Sequence, residues 1–413
     1  MLSKIGKNIS NALWIALGGK KVIYSFRGVK SFTLLGGFIR QRSNIFMPDI
    51  LKKFSYAVYL DSRDVDTLCN VNKWFENDFF NKKSTIIILR SYPECCSKFV
   101  KMLDGYGFSF VGYNRFRDLS CEGLKAVFYP FNTNTNHLLL RNRNVKHVFI
   151  GHGDSDKIAS INPLVRIYDH IFVAGSLSID RYFNNDLFFS SDDRENRFFR
   201  IGTPYIAPEH ADIVDSDGVL YAPTWEGAND AQAYSSILLA AELIAALIER
   251  GLTVYFQPHP STGVIKNTYR NAVEEVIMTF EGVAGFKFVS TSSRFSAREG
   301  AHAINRVKSR AFSIVITDIS SMAIWAVAQD KRLVSYIPKD KAMNLEQYYL
   351  TSRSDYIFSS VDELRSLPFD FSEDCTEQRR KLVSAESYLS GQPFSAYIDL
   401  ILARISESTS EDI

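Results

Sequence analysis

Several common signatures are missing from this 413-residue chain, and each absence removes a class of function. The five cysteines, Cys69, Cys95, Cys96, Cys121 and Cys375, form no C-x-x-C pair and are odd in number. Neither a disulfide framework nor a zinc site is indicated, and a reducing, cytoplasmic setting is expected. No glycine-rich P-loop, G-x-G-x-x-G or H-E-x-x-H occurs, which leaves ATPase, dehydrogenase and zinc-protease readings without support. No motif demands a metal ion or a cofactor. No apolar run reaches the ~18 residues of a membrane-spanning helix. The short stretch ALWIAL (12–17) is followed by Lys20-Lys21 rather than by a small-residue cleavage site, unlike a signal peptide.

Acidic residues are also missing from one region. Residues 1–48 contain Lys4, Lys7, Lys20, Lys21, Arg27, Lys30, Arg40 and Arg42, and no carboxylate precedes Asp49, although the net charge of the whole chain is only +2. Leu2, Ile5, Ile9, Leu13 and Ala16 fall near one helical face, with Lys4, Lys7, Asn8 and Asn11 elsewhere. A basic amphipathic helix of this kind suits an anionic membrane surface, where each basic residue is worth ~1 kcal/mol. The alternative is a terminal helix packed on the core with a solvated cationic face. No recognition motif accompanies the basic segment, so no nucleic-acid partner is expected.

A hydrophobic content of 46% with 23% charged residues describes a globular protein, and this length argues for two domains. Strand-like runs occur at 55–61, 84–90, 108–114, 126–131, 146–151, 170–175 and 197–202, with helical candidates such as 64–77 and 93–105 between them. Residues 203–218 carry two prolines and a cluster of Asp and Ser, and read as a linker. A second series follows: VLYAPTW, a helix from about 229 to Arg250 closed by Gly251, TVYFQPHP, a helix near 267–280, FKFVS, a helix near 296–309, SIVITD, a helix from Ser320, RLVSYIP and YIFSS. Residues 374–405 read as two helices. Strands separated by helix-length segments imply parallel sheets. The expected fold is α/β and GT-B-like: two Rossmann-type domains facing across a cleft, preceded by the basic amphipathic segment. The expected divisions are a leader at 1–48, an N-terminal acceptor-side domain at 49–205, a nucleotide-donor domain at 206–373, and C-terminal helices with a polar tail at 374–413.

Four segments at strand ends carry the chemistry: IGHGDSDK (150–157), YAPTWEG (221–227), QPHPSTG (257–263) and TDISS (317–321). Ligands of open α/β sheets sit at such ends. His152, between two glycines, can accept a proton from a hydroxyl because imidazole titrates near neutrality. Asp154 or Asp156 is a candidate to orient its ring, and Lys157 to contact a phosphate. His259, held between Pro258 and Pro260, is a candidate for a phosphate oxygen or a leaving group. Ser320 and Ser321 lie at a helix start, where free N–H groups attract anions; simple capping is the alternative. Thr224 suits a phosphate or ribose, and Trp225 either a base or the interdomain joint. His147 reads as structural.

In order and spacing, these segments resemble the CDP-glycerol glycerophosphotransferase family, the poly(glycerol phosphate) polymerases of teichoic acid and capsule synthesis. The likeness covers roughly residues 145–365 and rests on His152-Gly153 with Lys157, YAPTW at 221–225, His259-Pro260, and Thr317–Ser321. It implies a GT-B fold, peripheral attachment to the cytoplasmic membrane face, and transfer of glycerol phosphate from CDP-glycerol with release of CMP. Carried over by position, His152 is the acceptor-side base. His259, Ser320 and Ser321 bind the donor pyrophosphate, with Asp318 shaping that loop. The chain departs from the family in having Asp154-Ser155-Asp156 where a proline is common, and Ile324-Trp325 where an aspartate is common. A related CDP-polyol donor, with a glycan or lipid-linked acceptor, suits the same residues. The rivals are a GT-B glycosyltransferase using a nucleotide sugar and a non-catalytic membrane-surface protein.

Overall fold

The computed structural model describes residues 21–25, 39–40, 51–61, 71, 74–75, 79–90, 105–113, 121–202, 218–290, 295, 311–371 and 376–407. The proposed amphipathic helix before residue 20, most of the helical candidates at 64–77, 93–105 and 296–309, and linker residues 203–217 lie outside them.

The N-terminal half forms one sheet from β1 (Lys21–Ser25), β2 (Ile39–Arg40), β3 (Tyr56–Leu60), β4 (Thr85–Arg90), β5 (Ser109–Tyr113), β6 (Ala126–Tyr129), β7 (Lys146–Phe149), β8 (His170–Val173) and β9 (Phe198–Arg200). Their spatial order is β2-β1-β5-β4-β3-β6-β7-β8-β9. From β5 to β9 the neighbours are parallel, whereas β1 runs antiparallel to both β2 and β5. Central runs such as Ile86-Ile87-Ile88 are apolar throughout because both faces are covered.

The second sheet contains β10 (Gly218–Ala222), β11 (Thr253–Phe256), β12 (Phe286–Phe288), β13 (Ile314–Thr317), β14 (Arg332–Tyr336) and β15 (Tyr356–Phe358). It is parallel throughout, in the order β12-β11-β10-β13-β14-β15. Side chains alternate between two cores. Val219, Tyr221, Val254 and Phe256 join one, while Leu220, Ala222, Val315 and Leu333 join the other, as the two-residue period of a strand requires.

Helix α1 (Ser176–Asn184) follows β8. Helices α2 (Ala240–Glu249), α3 (Asn267–Phe280) and α4 (Ser321–Ala328) flank the second sheet. Helix α2 starts about ten residues later than the sequence suggests, because residues 230–232 and 237–239 make tight turns instead. The backbone there is diverted by Ser235 and Ser236, whose polar groups are bonded to Thr224 and Asp318. The expected closure holds: Gly251 follows the last turn with φ at 80°.

Three C-terminal helices occur where the sequence suggested two: α5 (Thr376–Leu382), α6 (Glu386–Ser390) and α7 (Phe394–Glu407). Gly391, with φ at 70°, ends α6 and separates it from α7. The chain then crosses back, and Tyr397, Ile398, Ile401 and Ile405 of α7 complete the core beneath β3 and β4. The crossing passes so close to Gly175 that a Cβ there would lie 2.2 Å from the Leu382 carbonyl oxygen. Among the described residues no helix is long and apolar enough to cross a membrane.

Candidate active-site cleft

The four segments singled out in the sequence all lie at C-terminal strand ends, and the structure brings their side chains together between the two sheets. His152 follows β7 in a turn where Gly151 has φ at 64°, a conformation that favours glycine. The indole N–H of buried Trp74 fixes that turn by donating to the Gly151 carbonyl at 3.0 Å. His152 Nδ1 lies 2.9 Å from the Pro130 carbonyl oxygen, and the ring packs 5.0 Å from Phe131. A carbonyl can only accept, so Nδ1 carries the proton and Nε2 is left as a lone pair. The surrounding protein holds the His152 pKa below the ordinary 6.5, against the opposing pull of the Pro130 carbonyl.

His259 is set in the opposite sense. The Ser261 amide donates to its Nδ1 at 3.0 Å, so Nδ1 is the acceptor and the ring's proton sits on Nε2. Trp225 stacks on the ring at 6.3 Å and 24°. Burial pulls the His259 pKa down to about 3, helped by the charges of Lys157 and His152. Both imidazoles are therefore neutral near pH 7, one presenting a lone pair and the other an N–H.

Lys157 bridges the two halves, its Nζ donating to Thr224 Oγ1 at 2.5 Å. Burial lowers its pKa to about 8, against the attraction of Asp318. Asp318 itself is fully buried. It accepts from the Thr224 amide at 2.6 Å, the Ser236 amide at 3.2 Å and Ser236 Oγ at 2.5 Å. Desolvation pushes its carboxyl up to about 7, outweighing those bonds and Lys157. It shapes the loop from behind rather than presenting its carboxyl to the cleft. Ser320 is a cap, its Oγ accepting from the Met322 amide at 3.0 Å. Ser321 is exposed at the start of α4 and faces the His152 loop; a Cβ on Gly153 would lie 3.3 Å from its side chain.

Neither aspartate of the first segment orients His152. Asp154 pairs with Arg181 and Ser178 of α1. Asp156 reaches the other half, accepting from the amides of Leu350 and Thr351 at 2.9 Å each and from Thr351 Oγ1 at 3.0 Å. Both carboxylates have stronger claims nearby, so the Pro130 carbonyl orients the ring instead. His147 is a core residue, bonded to Tyr129 Oη at 2.8 Å and to the Asn142 carbonyl at 3.0 Å.

Sequence reasoning missed Glu226. This fully buried carboxylate accepts from the amides of Gly263 at 2.9 Å, Ile265 at 2.9 Å and Lys266 at 3.2 Å. It thereby fills the anion-attracting start of α3 with the protein's own charge. Among the described residues no carboxylate plugs the start of α4, where Ser320 is the cap and Ser321 faces the His152 loop. The signal was a glutamate directly beside Trp225 in YAPTWEG. Among the described residues no cluster of His, Cys, Asp and Glu has the form of a metal site.

The chemistry of this arrangement is a neutral base, a neutral N–H donor, an ammonium and a helix N-terminus converging from two sheets, which suits an anionic substrate attacked by a hydroxyl. Its integrity rests on Asp318. Replacing Asp318 with Ala strands two buried amides and should destabilise the protein by roughly 3 kcal/mol, seen as a lower apparent melting temperature. Asp318→Asn, which keeps an acceptor, should cost clearly less.

No family model and no curated protein matches the chain. Solved structures do. A histidine-to-asparagine variant of the wall teichoic acid polymerase TagF is 12% identical, with 87% of this chain and 90% of that one covered and a TM-score of 0.50. Another TagF structure is 14% identical, with 87% and 90% covered and a TM-score of 0.47. Medicago truncatula UGT71G1, complexed with UDP-glucose, is 10% identical, with 87% and 100% covered and a TM-score of 0.47. At such identities a likeness speaks of fold alone, and the fold is the α/β, GT-B-like arrangement of two Rossmann-type sheets.

Proposed function

We propose that the cleft transfers glycerol phosphate, or a related polyol phosphate, from a CDP-alcohol to a hydroxyl of a cell-surface glycan or lipid-linked acceptor. CMP is released, in capsule or teichoic-acid-type polymer synthesis. The observation that carries this reading is the pair of neutral histidines fixed in opposite tautomers, His152 by the Pro130 carbonyl and His259 by the Ser261 amide. The order of the four motifs supports the donor assignment.

In this reading the acceptor hydroxyl donates its hydrogen bond to His152 Nε2 and loses its proton there as its oxygen attacks the donor's β-phosphorus. A new P–O bond forms, the bond from that phosphorus to the bridging oxygen breaks, and the electron pair leaves with CMP. The imidazolium then returns its proton to solvent. His259 Nε2–H, Lys157 and the N–H groups at the Ser320-Ser321 start of α4 offset the charge that develops on the phosphates. Thr224 holds Lys157 in place, and Asp318 holds Thr224. The reading places the enzyme at the cytoplasmic face of the membrane, with the basic leader on an anionic surface.

The direct test is CMP release from CDP-glycerol and CDP-ribitol, compared with nucleotide release from UDP- and GDP-sugars, each with and without a glycan acceptor. CMP release from a CDP-polyol that falls about 10²–10⁴-fold in His152→Ala is the expected result. Turnover confined to a nucleotide sugar would assign a GT-B glycosyltransferase instead.

The pH dependence follows from the same groups. The His152 pKa lies below 6.5, so the base stays competent as pH falls to that value and is lost below it. Lys157 titrates near about 8, so its charge is lost as pH rises through that value. The profile of kcat/KM, which reports the free enzyme, should show an acid limb below pH 6.5 and a basic limb near about 8. A Lys157→Met variant should lose the basic limb, and its persistence there would remove Lys157 from donor binding.

A further inference from the structure

At the same sheet edge as His152 lies a polar cluster that the chemistry above leaves unused. Asp61 follows the last residue of β3, Arg90 ends β4, and Thr133 and Thr135 lie in the loop after β6. Asp61 Oδ2 accepts from Arg90 Nη1 at 3.2 Å, from Tyr59 Oη at 3.4 Å and from Thr135 Oγ1, while Thr133 Oγ1 lies 3.5 Å away with its proton turned to Asn136. The same loop supports the base. Its Pro130 carbonyl holds His152 Nδ1, its Phe131 ring packs on the imidazole, and Asn136 ties the two parts by donating to the Phe131 carbonyl at 2.6 Å while accepting from Thr133 Oγ1 at 2.7 Å.

We propose that Asp61, Arg90, Thr133 and Thr135 form the subsite that holds a hydroxyl-rich acceptor, a sugar or a polyol, against His152. The inference rests on the reading of His152 as the acceptor-side base. A carboxylate accepts from hydroxyls, threonine hydroxyls both donate and accept, and a guanidinium donates to hydroxyl or phosphate oxygens. Together they match the alternating donors and acceptors of a polyol or sugar. The cluster comes wholly from the N-terminal sheet, so it lies on the His152 side of the cleft, across from His259 and Ser321. The Arg90 side chain is 27% exposed against 6% for Asp61, so of this pair Arg90 is the one nearer solvent. An incoming hydroxyl would replace the Thr135 hydroxyl on Asp61 without leaving the carboxylate unpaired.

Two measurements separate this subsite from the donor assignment. The first is acceptor KM and donor KM for CMP release with wild type, Asp61→Asn and Thr135→Val. Acceptor KM should rise roughly 10- to 100-fold, the worth of a hydrogen bond to a charged group, while donor KM stays within about twofold. Unchanged acceptor KM with normal donor turnover overturns the subsite and leaves the proposed function standing. The second is an NMR titration, without donor, of wild type and Asp61→Asn with glycerol 3-phosphate as the polyol probe and N-acetylglucosamine as the sugar probe. Binding of either probe that weakens in Asp61→Asn supports the subsite even if no CDP-alcohol is turned over, and says which class is preferred. Equal binding in the two proteins, or none to wild type, overturns it. Should Asp61→Asn fail to fold, Arg90→Gln gives the same readings from the more exposed partner.

Discussion

A carboxylate cannot be left dry and unpaired inside a protein, because the desolvation cost runs to several kcal/mol. Three of the carboxylates buried here meet that constraint with backbone amides borrowed from other segments. Asp156 takes those of Leu350 and Thr351, Glu226 those of Gly263, Ile265 and Lys266, and Asp318 those of Thr224 and Ser236. Each belongs to one of the strand-end motifs, and each fixes the position of a second segment. Asp156 ties the His152 segment to the C-terminal half, Glu226 anchors the loop that follows His259, and Asp318 sets Thr224 where Lys157 reaches it. Withdraw any one and the loops keep their composition but lose their relative positions.

Within that frame the electrostatics follow from burial. Desolvation by the surrounding protein disfavours charge, so both imidazoles are held neutral and Lys157 is brought to about 8. Neutral imidazoles alone would not define a reaction. Two backbone contacts set their tautomers, one placing a carbonyl on His152 Nδ1 and the other an amide on His259 Nδ1. An anionic ligand in the cleft would raise the pKa of His259 and Lys157, strengthening their hold on it.

The positions of the motifs were legible because parallel strands buried on both faces are short apolar runs, and the residues after them are conspicuous: Gly151 and Gly153 around His152, and the prolines around His259. Helix α3 was legible at its observed limits from its own periodicity. The roles of Asp156 and Glu226 were not, and that of Asp318 came only from the resemblance, since their partners are backbone amides remote in the chain; 94 residues separate Thr224 from Asp318 and 194 separate Asp156 from Leu350. The same remoteness misled the reading of residues 229–239, where local composition suggests a helix but Ser236 is held by Asp318. That residues 374–405 are helical was legible, though not that Tyr397, Ile398, Ile401 and Ile405 complete the core of the N-terminal sheet.

The central claim, that the site is preset with one imidazole as base and the other as donor, is tested most directly by the ring ¹⁵N and proton shifts of labelled histidine. The seven histidines of the chain can be assigned with single-site variants. Near pH 7 the account predicts His152 protonated at Nδ1 with a bare Nε2, and His259 protonated at Nε2 with a bare Nδ1. Like tautomers in the two rings, or an imidazolium at His152, would contradict it.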